Sequence, residues 1–340
     1  MCGICGKLHF DRQATVDEES LCHMMAAMRH RGPDGVGIYL SGAVGLGHVR
    51  LPVIDLEYGG QPIANEDGSV WIVFNGEIYN FQELRRELSA KGHVFRTQSD
   101  TEVIVHLYEE HGPDCVAELR GMFALAISDV RRERLVLARD RVGIKPLYFY
   151  LSSQSLLFAS EIKALLALPE VPRVLDEQSI DTFWTYRFLP GSSTMLRGVQ
   201  KLLPGNILLV DADTAPVIRP YWDLQFTTAR GAITLEGAAQ QLADLMRETV
   251  RQHMNADAPV GVLLSGGMGS SALLSLATQE CDKEISTFTI GFDEQGVVDE
   301  RPFARLVAQR FGSRHFEATM SREQFWDHLP QLLWQLEEPV

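Results

Sequence analysis

Cys2 is the residue whose position carries the most chemistry. Once Met1 is removed, that one residue offers both a thiol and a free α-amine. The thiolate is the strong nucleophile, yet at a thiol pKa near ~8.5 most of it is protonated at neutral pH. An α-amino group with a pKa of ~8 is a better base near neutrality than a lysine. One residue can therefore supply nucleophile and general base, with no histidine partner. Gly3 and Ile4 would let such a terminus tuck into a sheet. By itself an N-terminal Met-Cys-Gly is a weak signal. Cys2 and Cys5 also have C-x-x-C spacing, but no second pair completes a zinc site and no strand precedes them as a redox motif requires. No metal-ligand set is identified.

Two further groups point to binding chemistry. Val260-Gly261-Val262-Leu263-Leu264 runs into Ser265-Gly266-Gly267 and then Met268-Gly269-Ser270-Ser271. A buried strand entering a Gly-Gly turn and a helix start makes an anion cradle, because glycine permits close backbone approach and helix N–H groups point outward. Asn75-Gly76 follows the apolar run Val70-Trp71-Ile72-Val73-Phe74, so it reads as a tight turn after a buried strand. Asp100 before Thr101 fits a helix N-cap.

The elements that must position these residues change character along the chain. Asn80 with Glu83 makes a cap-like start for a helix bearing Phe81, Leu84 and Leu88 on one face and ending at Gly92. A second helix carries Val103, Ile104, Leu107 and Tyr108 and stops at Gly112-Pro113. Short strands follow at Phe123–Val130, Arg134–Arg139, Leu147–Tyr150 and Leu156–Ser160, so this part is read as α+β layers with sheets face to face. Residues 211–230, with Pro216, Pro220 and Thr227-Thr228, read as a linker. Afterwards strand and helix alternate: a helix over Leu235–His253, strands at Val260–Leu264, Ile285–Gly291 and His315–Ala318, and helices through Ala272–Ala277 and Phe303–Arg310. Alternation means a parallel sheet with crossover helices.

Composition narrows the class. At 340 residues, 45% hydrophobic and 22% charged, the chain suits two soluble domains. With 31 Lys+Arg against 45 Asp+Glu the formal charge is −14, and no basic cluster interrupts it. Nucleic acid and anionic membrane surfaces are thereby disfavoured as partners. No apolar run approaches the ~20 residues of a membrane helix, and the polar Asp11-Arg12-Gln13 argues against a signal peptide. Five scattered cysteines make no disulfide framework and fit a reducing cytoplasm.

The first part resembles the class II glutamine amidotransferases, whose N-terminal-nucleophile domain opens with C-G-I. The marks appear in order: Cys2-Gly3-Ile4, His30-Arg31-Gly32-Pro33-Asp34, Gly47-His48-Val49-Arg50-Leu51, Phe74-Asn75-Gly76-Glu77-Ile78-Tyr79-Asn80 and Ser99-Asp100-Thr101-Glu102. Gly121-Met122-Phe123-Ala124, Ala138-Arg139-Asp140-Arg141 through Lys145-Pro146-Leu147-Tyr148, and Phe158-Ala159-Ser160-Glu161 complete the set. The resemblance implies that Cys2 attacks the side-chain amide of glutamine, forming a thioester while ammonia leaves. It implies an oxyanion hole from the Asn75 side chain and the Gly76 N–H, in line with the need for preorganised donors. Arg50 would take the α-carboxylate as a bidentate fork, Glu77 and Asp100 the ammonium, and backbone around Leu51–Ile54 the rest of the substrate. His30 and His48 are read as structural.

Joined to that domain, the Ser-Gly-Gly segment looks like the S-G-G-x-D-S pyrophosphate loop of the asparagine synthetase family and its relative β-lactam synthetase. Gly205, Tyr221-Trp222, Phe288-Thr289-Ile290-Gly291-Phe292, Asp299-Glu300 and Glu337-Glu338-Pro339 support this. The resemblance implies ATP bound at Leu264, Ser265, Gly266, Gly267, Ser270, Ser271 and Ile290, and Mg²⁺ with it. It implies adenylation of a carboxylate, aspartate or an analogue, which ammonia then converts to an amide. Gly269 stands where the family loop has a metal-binding aspartate, so the Mg²⁺ site is expected to be impaired. A second S-G-x-G-x-D-E segment of the family is not met by Val340, so the second domain is expected to be incomplete. The expected architecture is an α+β N-terminal-nucleophile hydrolase sandwich (αββα) over 1–210, a linker over 211–230, and a partial α/β parallel-sheet ATP-pyrophosphatase domain over 231–340. A cytoplasmic homodimer is expected. Two other functions stay open: amidation of another carboxylate, and a glutaminase with a non-catalytic nucleotide-binding second domain.

Overall fold

The computed structural model describes residues 1–55, 59–212, 214–226, 233–281, 284–293 and 298–338. Asp213, Thr227, Thr228 and Pro339 lie outside them. The chain divides into one unit of Met1–Gln225 with Leu336–Val340 and a second of Phe226–Gln335.

The first unit holds strands β1 (Gly3–His9), β2 (Gly35–Ser41), β3 (Val44–Arg50), β4 (Ile63–Ala64), β5 (Val70–Ile78) and β6 (Gly121–Asp129). Strands β7 (Arg134–Arg139), β8 (Tyr148–Leu151), β9 (Ser155–Ala159), β10 (Val199–Lys201), β11 (Asn206–Val210) and β12 (Val217–Pro220) follow. Its helices are α1 (Glu18–Ala27), α2 (Phe81–Lys91), α3 (Asp100–His111), the short α4 (Ile162–Leu165) and α5 (Glu177–Tyr186). One sheet has the order β10-β8-β9-β1-β3-β2 and the other β12-β11-β7-β6-β5-β4, with antiparallel pairing throughout.

Three apolar layers show how the sheets stack. Ile4, Leu8 and Leu46 of one sheet meet Val73, Ala124, Ala126, Leu135 and Leu137 of the other. The alternate residues Cys5 and Val49 turn the opposite way, onto Leu21, Met24 and Met25 of α1 and Ile162 and Leu165 of α4. Likewise Ile72, Phe74, Leu125, Ile127 and Val136 face Leu84 and Leu88 of α2 and Val103, Ile104 and Leu107 of α3. A strand period of two thus sends every second residue to a helix layer and the others to the seam between sheets. The result is the αββα sandwich.

The structure differs from the local expectations at three places. Asn75-Gly76 is no turn: β5 continues through both, pairing Asn75 with Ala124 and Gly76 with Phe123 of β6. Glycine is needed at position 76 because a Cβ there would come within 2.2 Å of the Met122 carbonyl oxygen. Close backbone approach, rather than a tight turn, is what that residue marks. Asn80 precedes α2 but makes no side-chain cap; its amide instead donates to Glu118 O and its Oδ1 accepts from the Arg120 N–H. The stretch expected to be a linker contains β12, which pairs with β11.

The second unit contains α6 (Leu235–His253), β13 (Gly261–Leu263), α7 (Met268–Glu280), β14 (Ser286–Phe292), α8 (Arg301–Phe311), β15 (Arg314–Met320) and all but the last residue of α9 (Arg322–Leu336). The three strands pair in parallel in the order β13-β14-β15. Leu264, Leu274, Ala277, Ile285, Ala304 and Ala308 pack as its core. Helix α9 carries Pro330 inside it and was not foreseen from the periodicity. Among the described residues no helix is long and apolar enough to cross a membrane.

Candidate active site

A cleft in the first unit is lined by Cys2, Arg50, Leu51, Ile54, Gly76, Glu77 and Asp100, together with Gln61, Ser99 and Thr101. All but the last three are residues proposed from the sequence for glutamine. They converge from the start of β1, the end of β3 with the loop after it, the end of β5 and the first turn of α3.

Cys2 sits beside Leu51, whose N–H and carbonyl oxygen are each 3.4 Å from Sγ. Burial pushes the thiol pKa up, a Leu51 hydrogen bond opposing it. A thiol held in that state needs a base to become nucleophilic. The backbone of Cys2 is fixed by Arg31, whose Nε donates to its carbonyl at 2.9 Å. Arg31 is held in turn by Nη1 to Glu161 at 2.9 Å, and His30 Nε2 lies 3.0 Å from the same carboxylate oxygen. Burial raises the Glu161 pKa, but hydrogen bonds from Lys163 and Arg31 outweigh it and hold the group ionised below the usual range. This anchor was missed: Arg31 and Glu161 were quoted only as family marks.

Asn75 is buried and not part of the cleft lining, and its Nδ2 has no hydrogen-bond partner among the described residues. It shares the strand parity of Val73, which faces the seam between sheets, as Ile4 does beside Cys2. An unspent buried donor is costly unless something completes it. Oxyanion chemistry would.

Arg50 is steered by its Nη2 hydrogen bond to Asp55 O at 2.5 Å, while Asp55 Oδ2 accepts from the Gln98 N–H at 2.8 Å. Asp55, in the segment after β3, is thus tied to the approach of α3. Gln61 extends that tie, accepting from the Phe74 N–H at 2.6 Å and donating to Thr101 Oγ1 at 3.3 Å. Asp100 is the first residue of α3 and not its cap; Ser99 caps the helix by accepting from the Thr101 N–H. Its carboxylate instead accepts from the Ile78 N–H at 2.8 Å. Burial pushes Asp100 up to about 6. Burial and then Asp100 push Glu77 up to about 8, against Lys145. Two adjoining carboxylates with raised pKa values are a ready seat for a cation. His48 is buried and pushed down to about 3, so it stays neutral.

Cys2 and Cys5 do not act together. Cys5 is fully buried against the helix layer, an odd number of residues from Cys2 and thus on the other face. All five cysteines are unbridged.

In the second unit, a cavity of about 520 Å³ is lined by Leu264, Ser265, Phe288, Thr289, Ile290, Glu300 and Phe316 among others. Gly266 takes φ +76° and a Cβ there would strike the Ala304 nitrogen at 2.5 Å. Gly267 precedes the first turn of α7, and Ser265 Oγ lies 3.1 Å from Ser270 Oγ. Gly266, Gly267, Ser270 and Ser271 belong to the loop and helix start, outside the cavity's main lining.

Comparison with known proteins agrees with this division. The family model of the glutamine amidotransferase domain matches residues 1–222, and that of asparagine synthase matches residues 241–340. Asparagine synthetase [glutamine-hydrolyzing] 1 of Bacillus subtilis is 36% identical over 342 residues, covering 100% of this chain and 53% of that protein. Putative asparagine synthetase [glutamine-hydrolyzing] 2 of Methanocaldococcus jannaschii is 32% identical over 361 residues, covering 100% of this chain and 68% of its own. A solved structure of the allosteric regulatory enzyme of purine biosynthesis overlays with TM-score 0.50 at 16% identity, over 94% of this chain and 80% of that one, a likeness of fold. The chain spans about half the length of the first of these relatives. It belongs to the glutamine-hydrolysing asparagine synthetase family.

Proposed function

We infer that the chain hydrolyses glutamine at Cys2 and delivers the ammonia for ATP-dependent amidation of aspartate or a related carboxylate. The observation that carries the first half is the cleft itself. It joins a nucleophile, a guanidinium and two carboxylates around a space beside an unspent Asn75 donor.

With Met1 removed, the Cys2 amine takes the thiol proton as Sγ attacks the glutamine side-chain carbonyl. The oxyanion is received by Asn75 Nδ2 and the Gly76 N–H. The same amine returns the proton to the departing ammonia, and water then hydrolyses the thioester. Arg50 holds the α-carboxylate, and Glu77 and Asp100 hold the α-ammonium. Recognition therefore sits at the far end of the substrate from the chemistry.

The second unit fits a nucleotide. Leu264 and Ile290 with Phe288 offer apolar walls for a base, and Ser265, Gly266, Gly267, Ser270 and Ser271 offer N–H and hydroxyl groups to phosphates at the start of α7. ATP, when bound, supplies activation of the carboxylate that ammonia attacks. Gly269 brings no side-chain carboxylate for Mg²⁺, so the described loop does not fit the metal in the family manner.

Glutamate release from glutamine, without ATP, tests the first half. The Cys2→Ala protein should bind glutamine but lose hydrolysis by many orders of magnitude, and intact mass should show Met1 absent. Undiminished hydrolysis in Cys2→Ala sinks the assignment. Nucleotide titration with aspartate and with other carboxylates tests the second half.

A further inference from the structure

Away from the cleft, Glu66, His93, His106 and Glu109 bring one ligand atom each to within 4.8 Å of one another. They come from three places: the turn between β4 and β5, the segment after α2, and one face of α3. The geometry points to a tetrahedral site for a zinc-class divalent cation, bound by His93 Nδ1, His106 Nδ1 and one oxygen each of Glu66 and Glu109.

Three of its edges can be read directly, and a fourth contact runs from His93 to the other Glu66 oxygen. His106 Nδ1 lies 3.1 Å from Glu109 Oε2 and 3.4 Å from Glu66 Oε2. His93 Nδ1 lies 3.5 Å from Glu109 Oε2 and 3.8 Å from Glu66 Oε1. A tetrahedral ion with ligands at about 2.0–2.1 Å sets ligand-to-ligand edges of about 3.3 Å. Small shifts would bring these atoms onto it. Two imidazoles and two carboxylates also suit a borderline metal such as zinc in donor type and neutralise a dication.

The groups behind the ligands are arranged as a metal site needs. The second oxygen of Glu109 accepts from Asn65 Nδ2 at 2.8 Å, and Glu66 Oε1 accepts from the Val94 N–H at 2.9 Å. His93 Nε2 lies 3.2 Å from Glu110 Oε1, and His106 Nε2 faces Glu102 Oε1 at 3.9 Å. The Glu110 carboxylate behind His93 favours the tautomer whose Nδ1 lone pair faces the ion and raises its basicity, whereas His106 Nε2 makes no hydrogen bond among the described residues. His106 is fully buried, whereas Glu66 and Glu109 are partly open to solvent, which leaves an entry path. Four protein ligands close the tetrahedron, so the ion would be structural: it would clasp the β4–β5 turn and the segment after α2 to α3.

The test uses the Met1-processed chain after dialysis against a chelator. Calorimetric titration with Zn²⁺ should show one saturable equivalent, and Co²⁺ should give the intense visible bands of a tetrahedral ion. The Tm should climb with free Zn²⁺. The Cys2→Ala protein, titrated alongside, removes the cleft thiol as a competing ligand and should bind the same equivalent. Glu110→Gln keeps all four ligands and should weaken binding by about 10–100-fold. His93→Gln should weaken it further. Absence of a one-equivalent step in the unaltered chain would overturn the site, leaving a hydrogen-bonded His–Glu network. A step that is lost with Cys2→Ala, or is unchanged in both His93→Gln and Glu110→Gln, would overturn it equally.

Discussion

Arg31 Nε donates to the carbonyl of Cys2 at 2.9 Å, so the backbone of the proposed nucleophile is pinned by a side chain from a separate loop. Arg31 touches no reacting atom of the proposed reaction; its part in it would be to position Cys2. Lysine keeps the charge but cannot serve Cys2 O and Glu161 from one planar fork. Arg31→Lys should therefore lower kcat by about 10²-fold, the size of effect a small misplacement produces, with KM little changed. Steady-state kinetics decide this. A change confined to KM would mean that Arg31 acts on substrate instead.

Asn75 and Arg50 should separate chemistry from recognition. Losing one oxyanion donor costs ~10²–10³ in rate, so Asn75→Ala should lower kcat by that factor. Arg50→Lys should mainly raise KM, because it alters a contact with a group remote from the reacting amide. If Asn75→Ala moved KM alone, its buried Nδ2 would have a purely structural meaning.

Glu77 and Asp100 predict opposed pH trends for stability and for binding. Their folded pKa values, about 8 and about 6, lie above ordinary carboxylate values. Between the ordinary range and pH ~8 the folded chain therefore holds more protons than the unfolded one, and stability falls as pH rises. In the proposed site the glutamine ammonium needs both carboxylates ionised, so KM should fall over the same window. Tm without glutamine, and KM, measured from about pH 5 to pH 8, check both signs. Glu77→Gln should flatten the upper part of the Tm trend. A KM that rises with pH would remove the carboxylate pair from ammonium binding.

Gly269 offers a clean substitution. A Cβ there meets nothing within 4 Å, so Gly269→Asp should fold as the parent does. It should strengthen ATP binding in the presence of Mg²⁺ and leave binding without Mg²⁺ nearly unchanged. Calorimetry on both proteins distinguishes the cases. Equal Mg²⁺ enhancement in the parent would show that other groups supply the metal ligands.

Regular elements were legible where their own periodicity sufficed. Arg134–Arg139 and Leu235–His253 form the strand and helix read from them. The Asn75-Gly76 reading failed because that pair is a strong local turn signal, whereas the reason for its glycine lies across the sheet at Met122. The cleft residues were legible through family motifs, but Gln61 was not, since its role is to bridge Phe74 and Thr101 from a loop. Glu66, His93, His106 and Glu109 span three separated segments, and only the α3 pair has a spacing that signals proximity. Pro330 hid α9, because a proline in mid-pattern ordinarily ends a helix.

Placing Asn75 within a paired strand also governs how this half could diverge. Inserting one residue into β5 upstream of Asn75 would carry its side chain from the seam to the helix layer and displace Phe74 the other way. Changes of chain length are therefore barred from this strand and must fall in the turns at its ends. In the proposed site, new substrate preference would have to come from replacements at cleft-lining positions such as Leu51, Ile54 and Gln61 and in the first turn of α3, with the sheet as a fixed ruler.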